Sequence, residues 1–321
     1  PAGMGLTHSF GIVAVLVILG AVGTGIFHPE GVVSLHQAAG RQAHFLVPFF
    51  MACGFFFSAA AAPVSIYWVE NLGFPSLYWL ALPGLVLALL LFLHRRRDRR
   101  DHPGTAHQRH SQRRVGVSSA QPSFWPLLAT AGALNIATAL FMALLTSHYE
   151  IHFGSASHRT AGWMLLLMGG LASLVSFFWG HLTRQDRFRR FYLLVLASQL
   201  LATPLFFWLP HAATPTTGLV ICIALSLIAP GAIYPVSVTL SRDTSGLTHS
   251  LRAALMIGGT WGTAALVVTL SGILLEAGVD TRQLLSGSAF FTLVAALIAL
   301  WQVLARGWGK GAEEIGSAGR E

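Results

Sequence analysis

The sequence predicts an all-α polytopic membrane protein, on three observations. Apolar residues make up 54% of the chain and charged residues only 10%, and the mean hydropathy is +0.63. Uncharged apolar runs near twenty residues recur from one end to the other. None of these runs alternates with the two-residue period of a barrel strand. A water-soluble chain of 321 residues needs far more charge to cover its surface, whereas in lipid a helix satisfies its own backbone hydrogen bonds.

Nine spans are expected, at roughly residues 9–28, 45–69, 76–94, 124–147, 160–181, 190–209, 217–240, 251–276 and 284–305. At about 1.5 Å rise per residue, each is long enough to cross a hydrocarbon core of about 30 Å. The first run is uncharged from Phe10 to Phe27 and is followed at once by His28, Pro29 and Glu30. Apolar character then resumes through Val32, Val33 and Leu35 and lasts until Arg41. The two cysteines, Cys53 and Cys222, both lie inside apolar runs and read as small packing residues, with no disulfide framework implied.

Orientation follows from the twenty Lys and Arg residues. With loop 95–122 placed in the cytoplasm, all of them except Arg159 and Arg282 fall on the inner side. The C-terminus is then cytoplasmic and residues 1–8 are outside. A chain that starts at Pro1 on the outer side, without an initiator Met or a charged leader, leads us to expect a missing N-terminal part with an odd number of spans.

Loop 95–122 opens on His94-Arg95-Arg96-Arg97-Asp98-Arg99-Arg100-Asp101 and continues with Pro, Gly, Gln and Ser, so it is expected to be polar and poorly structured. It divides a partial N-terminal bundle of three helices, 1–94, from a C-terminal six-helix bundle, 123–308, and 309–321 form a cytoplasmic tail. The stretches Gly23-Thr24-Gly25-Ile26-Phe27-His28-Pro29 and Pro230-Gly231-Ala232-Ile233-Tyr234-Pro235 both place a Gly-rich turn, an Ile and an aromatic residue before a proline. Parallel repeats of this kind occur in transporters built from two similar halves.

Two halves joined by a basic loop, with Gly23-Thr-Gly-Ile-Phe-His-Pro-Glu30 in the first of them, resemble the major facilitator superfamily, and the short motif looks like the fourth-helix signature of its fosmidomycin-resistance branch. On that resemblance the nine segments correspond to helices four to twelve of a twelve-helix, two-bundle fold. The chain departs from the family in two places. Gly54-Phe-Phe-Phe-Ser58-Ala-Ala-Ala-Ala62-Pro63 carries alanine where the antiporter motif has glycine. Gly180-His-Leu-Thr-Arg184-Gln-Asp186-Arg187-Phe-Arg189-Arg190 resembles the cytoplasmic loop motif, here Gly180, Asp186, Arg187 and Arg190, with two extra residues before the acid.

The resemblance implies a secondary transporter, not an enzyme: a proton-coupled antiporter of the drug-efflux type, working by alternating access in the inner (plasma) membrane. Its partners would be a small-molecule substrate, protons and the lipid bilayer, and it would act as a monomer without cofactors. The residues point the same way. An ionised carboxylate at the bilayer centre costs about 2.5–3.5 kcal/mol, so an acid there faces a cavity or is protonated, and burial raises a carboxyl pKa as proton coupling requires. Glu30 is accordingly the candidate proton carrier, with His28 and Pro29 beside it; the alternative reading places Glu30 in the cytoplasmic headgroups.

Asn135, Thr138, Gln199, Tyr234 and Trp261 are candidate groups of a substrate cavity. Asn and Gln serve equally to join helices, and Tyr and Trp to pack or to sit at an interface. Two other readings are carried: an inactive truncated fragment of such a transporter, and a histidine-rich membrane metalloenzyme built on His102, His107 and His110. The second is disfavoured because the loop is crowded with arginine, and no metal site is expected. Nucleic-acid binding is not expected either, since neither basic loop offers a folded surface with aromatic platforms.

Overall fold

Why the chain folds as it does is clearest where helices end. The structure, a computed structural model, describes residues 12, 15–16, 19–20, 23, 27–28, 30–32, 34–35, 43–101, 122–154, 157–183, 187–228 and 230–305. Helix α1, Ala43–Leu72, stops at Gly73, whose φ of 79° lies in the left-handed region that glycine enters without a Cβ penalty. A 3₁₀ segment, Phe74–Ala81, follows with a proline in its first turn, and the Trp68 indole N–H donates to the Ser76 carbonyl at 3.2 Å across the corner. Helix α2 is Leu82–Asp101. It therefore runs through the arginine cluster expected to open an unstructured loop: Arg is a good helix former, and a helix once nucleated extends through such residues.

Helix α3, Phe124–Phe153, ends at Gly154 with φ 83°. Then come α4, His158–Leu182; α5, Arg187–Trp208; α6, Pro215–Ile228; and α7, Pro230–Leu240. The segment expected over 217–240 falls within one apolar span, Pro215–Asp243, of which Ala229 lies outside the described residues. Pro230 has no N–H to donate into the preceding turn, and the Gln199 amide donates to the Ile228 carbonyl at 3.3 Å. After α8, His249–Ala254, a π-helical turn over Leu255–Gly259 leads into α9, Thr260–Glu276, and the last helix is α10, Thr281–Ala305.

Among the described residues, eight helices are long and apolar enough to cross a membrane, from Phe49–Leu72 to Thr281–Ala305. They match the second to ninth expected spans. The first expected span falls largely outside the described residues, although those of its positions that are described are helical.

The chain forms two compact units. One comprises 1–24 and 64–120; from Val64 to Leu93 its side chains are partly or fully exposed, with Tyr67, Phe74, Leu85 and Leu89 among the outward apolar groups. Outward apolar side chains on helices suit a lipid boundary. The other unit comprises 25–63 and 121–321. Its centre is α3, which is apolar all round and is packed by α4, α7, α9 and α10, with α10 also lying along α5. Phe124, Leu127, Leu134, Tyr192, Tyr234 and Met256 belong to a core around the first half of α3; Leu140, Phe141, Leu145, Tyr149, Met164, Phe206 and Cys222 belong to a second core around its last half.

Close approach in this unit depends on missing Cβ atoms. A Cβ built on Gly169 of α4 would overlap the Ala59 Cβ of α1 and lie 3.5 Å from the Phe55 carbonyl oxygen. Ala59, in the alanine run of α1, therefore meets a glycine from the facing helix.

Candidate functional site

In the helical stretch 27–35, His28, Gly31, Val32 and Leu35 fall on one face, at helical spacing, and are partly or fully buried; Phe27, Glu30 and Ser34 are exposed. The buried face rests on α1. A Cβ at Gly31 would come 3.0 Å from the Phe50 ring, one at Gly54 would lie 3.7 Å from His28 Nε2, and the His28 and Phe50 ring centroids are 6.1 Å apart. His28 and Glu30, two residues apart, thus leave the helix in different directions, and the structure does not bring them together. Pro29 lies outside the described residues. The other described acids of this unit, Glu150, Asp243, Glu276 and Asp280, sit at helix ends or in turns.

Two of the five expected cavity residues, Asn135 and Tyr234, join Thr260 in one network around the Met256 carbonyl, with a third, Trp261, packed beside it. The Tyr234 hydroxyl donates to the Met256 carbonyl oxygen at 2.7 Å, and the Thr260 hydroxyl donates to the same oxygen at 2.6 Å. Each hydroxyl has one hydrogen, so Thr260 Oγ1 is left to accept the Asn135 amide at 2.9 Å. Met256 lies in the π turn, a form of helix that recurs at functional sites. Trp261 follows Thr260, and Phe55 of α1 closes the group: its ring centroid is 5.9 Å from Tyr234 in an edge arrangement and 6.1 Å from Trp261. Tyr234 and Trp261 are themselves edge to face at 6.4 Å.

Thr138, one turn beyond Asn135 on α3, faces a small cavity. Its hydroxyl is spent on the Leu134 carbonyl at 2.9 Å, and the cavity, about 30 Å³, is bounded also by Phe55, Phe141, Met168, Gly169 and Gly231. That volume holds about one water. Gln199 lies elsewhere, bonded to Ser198 Oγ at 3.0 Å and to the Ile228 carbonyl at 3.3 Å. Its role in this geometry is to join α5 to α6.

Phe55, Thr260 and the Met256 carbonyl were not singled out by sequence. Thr260 carried a faint signal, one turn after Met256 and next to Trp261, but a carbonyl is invisible in a side-chain pattern.

At the other end of this unit the Arg187 guanidinium pairs with Asp243 at 2.7 Å, tying the start of α5 to the turn after α7, and Arg190 donates to the Leu182 carbonyl at 3.3 Å. Such an exposed pair is worth about 0–1 kcal/mol. Arg252 of α8 donates to the Thr244 carbonyl nearby. Gly180 has open space where a Cβ would be, and Asp186 lies outside the described residues. No group of three or more metal-ligating side chains suited to a metal occurs among the described residues; His102, His107 and His110 lie outside them.

A chain that is helical throughout its described spans, crosses the membrane many times and gathers a few polar groups between apolar helices defines an integral membrane protein of the transporter class. The family model described as Major Facilitator Superfamily matches residues 2–226, and the chain belongs to that family of membrane transporters. No curated protein and no solved structure matches it.

Proposed function

We propose that the chain exports a small organic molecule in exchange for protons by alternating access, and that Glu30 carries the proton. The observation that carries this reading is the position of Glu30: an acid in an apolar helical stretch whose opposite face is seated on α1, so that the carboxyl is turned away from that contact. Protonated, such a carboxyl is tolerated in an apolar surrounding; ionised, it needs water or a partner, and this difference couples charge to conformation.

On the same reading the substrate is held by the Asn135, Tyr234 and Thr260 group, with Phe55 and Trp261 as its apolar walls. The rings now close on one another, and the space beside them would have to open in another state of the cycle. Positive charge on the loops orients the C-terminus to the cytoplasm of a cell whose inner membrane holds the protein, as a monomer. The resemblance of Gly23–Glu30 to the fosmidomycin-resistance branch makes drug efflux the expected use.

The test is the protein in proteoliposomes loaded with pyranine, a pH-sensitive dye, challenged with fosmidomycin and with ethidium as an aromatic cation. Proton flux is expected with at least one probe and is expected to vanish in Glu30→Gln. If Glu30→Gln transports with unchanged proton flux, the acid is not the carrier.

A further inference from the structure

The end of the larger unit opposite Arg187, Arg242 and Arg252 carries a set of titratable groups that the proposed cycle leaves unused. All of it gathers on the last two turns of α3. His152 Nε2 lies 3.7 Å from Asp280 Oδ1, in the turn before α10, and 3.3 Å from the Thr281 hydroxyl. One turn earlier His148, 1% exposed, has Nδ1 at 3.1 Å from the same hydroxyl, and the two imidazole centroids are 4.5 Å apart. Between them, on the next face of α3, Glu150 Oε1 is 3.8 Å from Nε2 of His158, the first residue of α4.

Each pair joins α3 to a different neighbour, and each joins an imidazole to a carboxylate. Uncharged, an imidazole beside a carboxylate contributes at most one hydrogen bond; protonated, it becomes one half of an ion pair. We propose that His152 with Asp280, and His158 with Glu150, form a second proton-binding site, which fastens the end of α3 to α10 and to α4 when that end of the protein meets an acidic medium. It acts on the helix that carries Asn135 and Thr138, and it does not depend on Glu30.

The charges around the pairs set its direction. His148 faces His152 on its own helix, Asp280 and Arg282 from the α10 side, and His211 from the connection between α5 and α6. Asp280 is held below the usual carboxylate range, first by the backbone N–H of Arg282, which donates to Oδ1 at 2.8 Å, and further by His152 and by the Arg282 charge. Its carboxylate therefore persists into acid that protonates imidazole. An imidazolium in either pair faces the carboxylate only while the helices hold the two together. The fastening is then complete on the acid side of histidine's range, about pH 5–8, and is lost as pH rises through it.

The test uses the full chain in nanodiscs and follows its thermal midpoint between pH 5.5 and pH 8, with and without the carboxylates. The midpoint is expected to fall by about 2–4 °C across that interval. Asp280→Asn combined with Glu150→Gln, both at exposed positions, is expected to remove most of the fall, and His152→Gln to remove part of it. Spectra of histidine labelled with carbon-13 should show two imidazole signals that respond to the double carboxylate change. Glu30→Gln is expected to keep the full pH dependence, which separates this site from the proposed carrier. If the double carboxylate variant retains both the fall and the titrations of the parent, or if Glu30→Gln alone abolishes the fall, the assignment is wrong.

Discussion

Gly169→Val is expected to unseat α1 from α4 and to be among the most damaging single changes in the chain. The Ala59 Cβ already occupies the place a Gly169 Cβ would take, with Ala59 Cα and the Phe55 carbonyl each 3.5 Å away. Neither atom can rotate aside, because an alanine has no rotamer to change and the carbonyl belongs to the helix. The backbones must separate, and overpacking of a tight contact costs about 1–3 kcal/mol or more. In a membrane, where helices associate through packing rather than through exclusion of water, little else compensates. The expected result is a loss of monodisperse protein on size exclusion and a midpoint lowered by several degrees. Gly169→Ala should show the same defect in weaker form, and adding Ala59→Gly should reverse it. Failure of that second change to rescue the first would show that the contact does not set the spacing.

Tyr234→Phe with Thr260→Val is expected to cost more than the two single changes added together. Either hydroxyl alone still supplies a donor to the Met256 carbonyl, so each single variant should lose about 0.6–1.7 kcal/mol, the range for hydrogen bonds between membrane helices. The double variant removes both side-chain donors from a buried carbonyl, which neither single change does; the Asn135 amide, whose acceptor is Thr260, is already stranded in Thr260→Val and adds nothing to the excess. Unmet polar groups of that kind cost about 1–3 kcal/mol each. A double-mutant cycle on thermal or denaturant unfolding measures the excess, and strict additivity would mean that the carbonyl is satisfied by other means. Both variants keep the aromatic rings, so a change in transport of the probes would report on the polar handle and not on the walls.

These two sites mark how far the sequence could be read. The spans were legible because lipid demands long uncharged runs, and a composition of 54% apolar residues leaves few other options. Asn135 and Tyr234 stood out as polar groups in apolar helices, and the structure places them in one network. Their meeting point did not stand out, since it is a backbone oxygen exposed to side chains in a π turn. Gly169 is one glycine among thirty-three; what sets it apart is the alanine more than a hundred positions earlier that it faces. Glu30 was conspicuous as a charge after an apolar run, but only the burial pattern of 28–35 shows that His28 turns toward α1 while the acid turns away. Pro230 was legible as a residue without a donor, but that Gln199 from another helix donates to the nearby Ile228 carbonyl was not.

The π turn at Leu255–Gly259 also fixes what the chain can lose. Such a turn holds one residue more than an α-helix needs, and Gly258 has open space where a side chain would be. Deleting Gly258 would let the hydrogen bonds of α8 and α9 run on as a single α-helix, so the cut should be tolerated locally. Residues on either side would keep their bearing around the axis, because the π turn already absorbs the extra residue, and Arg252 would keep the Thr244 carbonyl it now holds. The spare residue thus leaves the phase of the span unchanged, and a single codon lost there would remove the turn in which the Met256 carbonyl meets Tyr234 and Thr260.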